Sequence, residues 1–314
     1  MIKSGLRSAS PSELQLASIL DHDKPRAVLA EVKRIFAFSY APSDFSLVTR
    51  AFGLVERLYE GHFDGYQACR VEYHDFCHVL EVFSATARLL DGATLSGLPF
   101  TLEEAIDLLI AALLHDSGYI QEKGDTQGTG AKYTKTHVDR SASFALAQAA
   151  TFGLSSDGAG RVSRWILGTD LARPWAELNL PGKREGDAAA ILAAADILGQ
   201  MGDRAYLEKL LFLYYEFKEA GITGYGSAYD ILEKTLGFYE GVKKRLDVTL
   251  ASTKDYASRH FSARYGTDRD LYREAIQRQM DYLAGIVADD GSNFRKKLKR
   301  MDLEAVEAGH KGGN

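Results

Sequence analysis

Three of the chain's eight histidines fall in two short stretches, Tyr73-His74-Asp75-Phe76-Cys77-His78 and His115-Asp116. His74 and His78 are four apart, which on a helix places them on one face, about 6 Å apart along the axis. One imidazole can then hold a metal ion while the other faces a bound substrate. The same spacing also arises as surface decoration or polar core filling. His115-Asp116 closes a strongly apolar run, Ala105–Leu114. Buried polar groups need partners, and a metal ion would satisfy both, since imidazole nitrogen and carboxylate oxygen are standard ligands. The alternative is a helix C-terminus leaving the core, where the dipole favours histidine. Asp196 sits in Ala193-Ala194-Ala195-Asp196-Ile197-Leu198. Asp is rarely fully buried unless paired. It therefore marks a metal ligand or a structural carboxylate held by an arginine or a helix start.

Taken in order, Tyr-His-x-x-x-His, His-Asp-x-Gly and a later Asp on an apolar helix resemble the HD-domain superfamily of metal-dependent phosphohydrolases. The first motif is most similar to the cyclic-nucleotide phosphodiesterase branch, which carries Tyr-His-Asn-x-x-His. The resemblance covers about residues 70–220 and implies an all-α, multi-helix bundle with helical extensions. It also implies that His78, His115, Asp116 and Asp196 ligate a divalent metal. Asp116 would bridge to a second metal where two bind, and His74 would protonate the leaving alkoxide.

His137, in Thr136-His137-Val138-Asp139-Arg140-Ser141, resembles the His-x-x-x-Ser helix start that supplies a second-metal ligand in several members. An exposed first-turn histidine is the alternative. Thr169-Asp170 is similar to a Thr-Asp turn of the phosphodiesterases, or else Asp170 caps the loop that follows it. Arg204 and Glu216 fall in a stretch resembling the segment after the last metal Asp in bacterial members, where they would form supporting pairs. The chain departs from the phosphodiesterase pattern at three points. Asp75 replaces the Asn, Tyr119 replaces a further His, and the C-terminal segment carrying a purine-reading Gln has no counterpart. The metal centre is thus better defined than the substrate.

An anionic substrate calls for cations, and Arg140, Lys132 and Lys135 lie near His137 in sequence. The two lysines also fit a solvated loop. Gly221–Gly226 follows no strand and ends in no Gly-Lys-Ser/Thr, so it does not read as a phosphate-binding loop.

Helices must position these groups. Ser12 is an N-cap candidate for a first helix beginning at Pro11-Ser12-Glu13. Helical spacing continues over 25–36 and again after Ser43-Asp44. A loop over Gly61–Cys69 precedes a helix over 74–90, ended by Asp91-Gly92. Thr101-x-x-Glu104 is a capping box for the helix that delivers His115-Asp116. Residues 121–134 form a Gly-rich loop placed to act as a lid. Further helices are predicted over 136–153, 161–167, 188–198, 203–219, 227–250, 253–264 and 267–284, with a polar connection over 170–186. The domain reading is an N-terminal helical extension (1–69), a metal-binding core (70–220), a C-terminal helical extension (221–304) and a disordered tail (305–314).

The chain is 46% apolar and 26% charged, an ordinary globular composition long enough to bury a substantial core. A net charge of −5 favours neither nucleic acid nor a membrane surface, and the basic run 295–300 reads as a solvated helix end. No apolar run approaches a membrane span, and the N-terminus lacks a signal-peptide core. Two cysteines imply no disulfide framework, which makes a cytoplasmic location the default.

The expected activity is phosphoester hydrolysis by metal-activated water, with one or two ions drawn from Mn, Mg, Fe, Co or Zn. The expected partners are a small phosphorylated, nucleotide-like substrate and a second copy in a homodimer. Two rivals remain: an HD-type di-iron oxygenase, and a non-catalytic metal-binding regulatory module.

Overall fold

The computed structural model describes residues 11–289 and 294–301. The fold is all-α. In chain order the helices are α1 (Pro25–Tyr40), α2 (Ser46–Tyr59), α3 (Phe76–Leu95), α4 (Leu102–Leu114), α5 (His137–Ala147), α6 (Ala149–Phe152), α7 (Ser156–Leu167), α8 (Gly182–Gly202), α9 (Tyr206–Glu219), α10 (Ala228–Lys244), α11 (Tyr256–Tyr265), α12 (Leu271–Val287) and α13 (Phe294–Lys297). Among the described residues the extended pairing amounts to one antiparallel bridge, Tyr66 to Glu122. No helix among them is long and apolar enough to cross a membrane. Cys69 and Cys77 are both free.

The apolar stripe of α1 buries Val28, Val32, Ile35 and Phe36, and that of α2 buries Ala51, Val55 and Leu58. α3 lies at the centre, packed against α1, α4, α8 and α11. One hydrophobic core runs from Leu16 to Leu298, so the segments before 70 and after 220 share the core of residues 70–220. The capping box of α4 forms as expected: Thr101 Oγ1 accepts from Glu104 N at 3.2 Å, and Glu104 Oε2 accepts from Thr101 N at 2.7 Å.

Two expected boundaries are corrected. No helix starts at Pro11-Ser12-Glu13, where the chain forms turns before a short 3-10 helix, Leu16–Ser18. The Arg269 guanidinium donates to the carbonyls of Ser12 (2.8 Å) and Leu14 (3.2 Å), taking the acceptors that a helix would use. Nor does α3 stop at Asp91-Gly92. Asp91 is buried, accepting from His260 Nδ1 at 2.7 Å and from Arg264 Nη2 at 2.7 Å. A Cβ on Gly92 would fall 1.9 Å from Tyr256 O. The glycine here lets α11 approach α3 and does not break the helix. The expected helix over 227–250 passes through a π turn at Arg245–Thr249. The tail at 305–314 lies outside the described residues.

Candidate metal centre

α3 starts at an Asp75 N-cap, whose Oδ1 accepts from His78 N at 2.9 Å. Asp75 therefore anchors the turn that carries His78, and it is Glu216 that pairs with His74. α4 ends at His115, and α8 supplies Asp196. The four expected ligands converge. His78 Nε2 lies 3.3 Å from Asp116 Oδ2 and 3.3 Å from Asp196 Oδ1. His115 Nε2 lies 3.2 Å from Asp116 Oδ2, 3.7 Å from Asp196 Oδ1 and 3.2 Å from His78 Nε2. Ligands at metal bond lengths in a tetrahedral cage stand roughly 3.3–3.6 Å from one another.

The protonation pattern also fits a cation. His115 Nδ1 donates to Ala112 O at 2.8 Å, so in neutral imidazole the Nε2 lone pair points into the cluster. Asp116 Oδ2 is buried and has no hydrogen-bond partner among the described residues. Lone pairs facing lone pairs in a buried site leave several kcal/mol uncompensated unless positive charge enters. Burial opposes charge on both groups, yet the His115 charge holds the Asp116 carboxyl well below the usual range. The same pairing lifts His115 above the usual imidazole value despite its burial.

Asp196 was expected to be buried. Its side chain is 20% exposed because it faces a cavity of about 370 Å3. His74, Asp116, Tyr119, His137 and Asp170 line the same cavity.

His137 is brought to the centre. Its Nδ1 donates to Thr134 O at 2.7 Å, and its Nε2 stands 3.6 Å from Asp116 Oδ1. The two oxygens of Asp116 thus face different histidines. Burial is the main reason the His137 imidazole is pushed below its usual value. Local packing explains the glycine of His-Asp-x-Gly. A Cβ on Gly118 would lie 2.0 Å from His137 O. Gly118 N donates to Ser141 Oγ at 2.8 Å, and Arg140 Nε donates to Gly118 O at 2.7 Å. The start of α5 is therefore stitched directly to the loop after His115-Asp116.

That stitching defines the role of Arg140. Its guanidinium is committed to the Gly118 and Ile120 carbonyls and lies over the Tyr133 ring at 3.6 Å, outside the cavity lining. Lys132 bonds to Asp125 and to Gln127 O, and Lys135 points to Gly221 O at 3.4 Å. The 121–134 loop is tied to α9 through Glu219, which accepts from Thr129 N and Thr129 Oγ1 at 2.7 and 2.8 Å. Thr134 is its residue on the cavity wall. Asp170 lines the cavity and also caps its own turn, accepting from Ala172 N at 2.8 Å.

Glu216 organises His74. Its Oε2 lies 2.7 Å from His74 Nδ1, and its Oε1 accepts from the backbone N–H of Glu72 and of Tyr73. Tyr119 takes a packing role. Its ring stacks between those of His74 and His137, with centroids 4.3 Å from each. Sequence reasoning missed this sandwich, and it missed Glu81, whose Oε2 lies 3.8 Å from His78 Nδ1. The signal for Glu81 is a carboxylate inside Val79-Leu80-Glu81-Val82-Phe83. It also missed the apolar wall that α9 and α10 contribute, including Leu210, Leu213, Ile231 and Phe238.

A family model described as Npun_R2479-like matches residues 123–250. The match takes in His137, Asp170, Asp196 and Glu216, and begins after Tyr73–His78 and His115-Asp116. No curated protein matches the chain.

Proposed function

We propose that the protein is an HD-type metal-dependent phosphohydrolase that cleaves a small phosphoester in the cavity beside His74. The observation that carries this reading is the convergence of His78, His115, Asp116 and Asp196, with the buried Asp116 Oδ2 left without a hydrogen-bond partner among the described residues. A divalent metal held there would polarise a phosphoryl oxygen and acidify a bound water.

The chain's own groups supply the rest. Glu216 fixes the His74 ring through Nδ1, which leaves Nε2 as the nitrogen able to give a proton to the leaving oxygen. Stacking on Tyr119 holds that ring in plane. Asp116 presents Oδ1 toward His137, an arrangement suited to a second ion.

The cavity is small-molecule sized, and Lys234 is its single lysine or arginine among the described lining residues. Its walls suit a substrate of low charge with an apolar or aromatic body. Nucleoside monophosphates, cyclic nucleotides and aryl phosphoesters form the test panel, each with Mn, Mg, Fe, Co and Zn. Metal-dependent hydrolysis that disappears in His115→Ala/Asp116→Ala supports the reading, and hydrolysis unchanged by that double substitution sinks it.

The 3.6 Å approach of His137 to Asp116 also favours a second reading, a di-iron oxygenase. A coloured, iron-loaded protein that consumes oxygen and hydrolyses none of the panel would select it.

A further inference from the structure

The walls of the cavity beside the metal centre divide by chemistry. Its polar groups gather around Asp116, Asp196 and His137, while Leu213 and Phe217 of α9 and Ile231 of α10 form an apolar wall. Lys234 donates to Gly224 O and lies over the Tyr225 ring at 4.9 Å, so the chain itself engages that cation. Away from the metal centre the cavity therefore offers no strong site for a second anionic group.

A groove of about 360 Å3 adjoins this cavity and shares Leu171 and Phe238 with it. The end of α10 and the π turn after it supply the other walls, among them Gly241, Val242 and Val248. Such π distortions are frequent at functional sites. Arg245 ties this one to the loop that carries Thr169 and Asp170 into the cavity. Its Nη2 donates to Gly168 O at 2.8 Å and to Asp170 O at 3.1 Å. Lys244 is exposed, and the groove lining contains neither a carboxylate nor a side-chain amide with which to read a base or a sugar.

Leu171, Phe238 and Val248 all line the groove, and they are 45%, 47% and 66% exposed. Apolar residues scattered singly over a surface are ordinary, but a cluster along a groove marks a surface that a ligand covers. Gly241 leaves the groove floor open. It sits inside α10 with no positive φ, and a Cβ there would meet nothing within 4 Å. Glycine weakens a helix interior, and no contact among the described residues requires it here.

We propose that cavity and groove form one site for an amphiphile with a single anionic head and a single long aliphatic chain. The head lies at the metal centre, and the chain crosses Leu171 and Phe238 and runs over Gly241 toward Val248. The identity of the substrate rests on the function proposed above. It is the phosphate monoester of a long-chain alcohol: water attacks phosphorus, the ester P–O bond breaks, and His74 gives the departing alkoxide its proton. The products are the alcohol and inorganic phosphate.

The test is calorimetric titration of the full chain, with Mn added, against butyl- and dodecylphosphonate below their micelle concentrations. Each buried methylene is worth up to about fourfold in affinity, so the dodecyl compound should bind at least about a hundredfold more tightly than the butyl compound. Gly241→Leu, which fills the groove floor, should cut that ratio about tenfold or more. Should it fail to fold, Val248→Glu, at an exposed position, should do the same by placing a charge in the groove. Assay of the matching alkyl phosphates separates the two readings. A chain-length gain in binding without hydrolysis supports the site and overturns only the hydrolase reading. Hydrolysis without any chain-length gain in binding overturns the site and leaves the hydrolase reading standing. The site is also overturned if the folded variants keep the full gain, or if Val248→Glu breaks up a dimer while the affinities stay as they were.

Discussion

His78 Nε2 and His115 Nε2 face each other at 3.2 Å inside the core, with Asp116 Oδ2 within 3.3 Å of both. With both imidazoles neutral and Nε2 unprotonated, their lone pairs and the carboxylate leave one another unsatisfied, and either a proton or a metal ion must supply positive charge. Replacing the carboxylate with an amide removes the charge that holds such a cation. Asp116→Asn is therefore expected to fold and to lose the stabilisation that added metal gives the wild type. Melting with and without metal checks this, and an equal metal-induced rise in both proteins would contradict it.

Glu216 is a positioning residue for His74. Glu216→Ala should lower kcat by roughly ten- to a hundred-fold on the best phosphoester, less than the roughly hundred- to ten-thousand-fold of a lost general acid. The double variant with His74→Ala should lose little more than His74→Ala alone, because the two act as a unit. Full additivity of the two losses would show that Glu216 does not work through His74.

Gly118→Ala places a methyl group 2.0 Å from the His137 carbonyl. The start of α5 must then move away from the loop after Asp116. The expected cost is about 1–3 kcal/mol by denaturant unfolding, together with weaker metal binding. An unchanged midpoint would mean that this approach is not tight.

Asp91→Ala removes the hydrogen-bond acceptor of the buried His260 and the counter-charge of Arg264. Breaking such a pair on one side costs about 3–5 kcal/mol. Urea unfolding should show a loss of this order. A loss below that of an ordinary surface substitution would remove Asp91 from the account of how α11 docks on α3.

The Glu104 carboxyl is held down at about 2, first by its bond to Arg184 and then by the capping bonds to Thr101, against the effect of burial. A carboxyl lowered on folding adds stability that is complete above its unfolded value, near 4.5, and is lost as pH falls toward about 2. The Arg184 side chain is 46% exposed, so solvent screening limits the effect to about 1 kcal/mol. Glu104→Gln should flatten the stability profile between those pH values, and an unchanged slope would argue against the pair.

Much of this was legible in the chain because its signals are local. The α4 capping box, the apolar run that ends in His115-Asp116 and Asp196 among the apolar residues of α8 each needed only neighbouring residues to be read. What stayed hidden depends on partners far along the chain. Asp91-Gly92 reads as a stop signal until α11 arrives to bury it. Pro11-Ser12-Glu13 reads as a helix start until Arg269 takes its carbonyls. The hold of Glu216 on His74 joins residues 142 positions apart.

The most direct test of the metal centre is elemental analysis of the purified protein after loading with each divalent metal and removal of excess. The account predicts one or two equivalents bound per chain in the wild type and a loss of bound metal in His115→Ala/Asp116→Ala. A wild type that retains none of these metals, or a double variant that retains as much as the wild type, would contradict it.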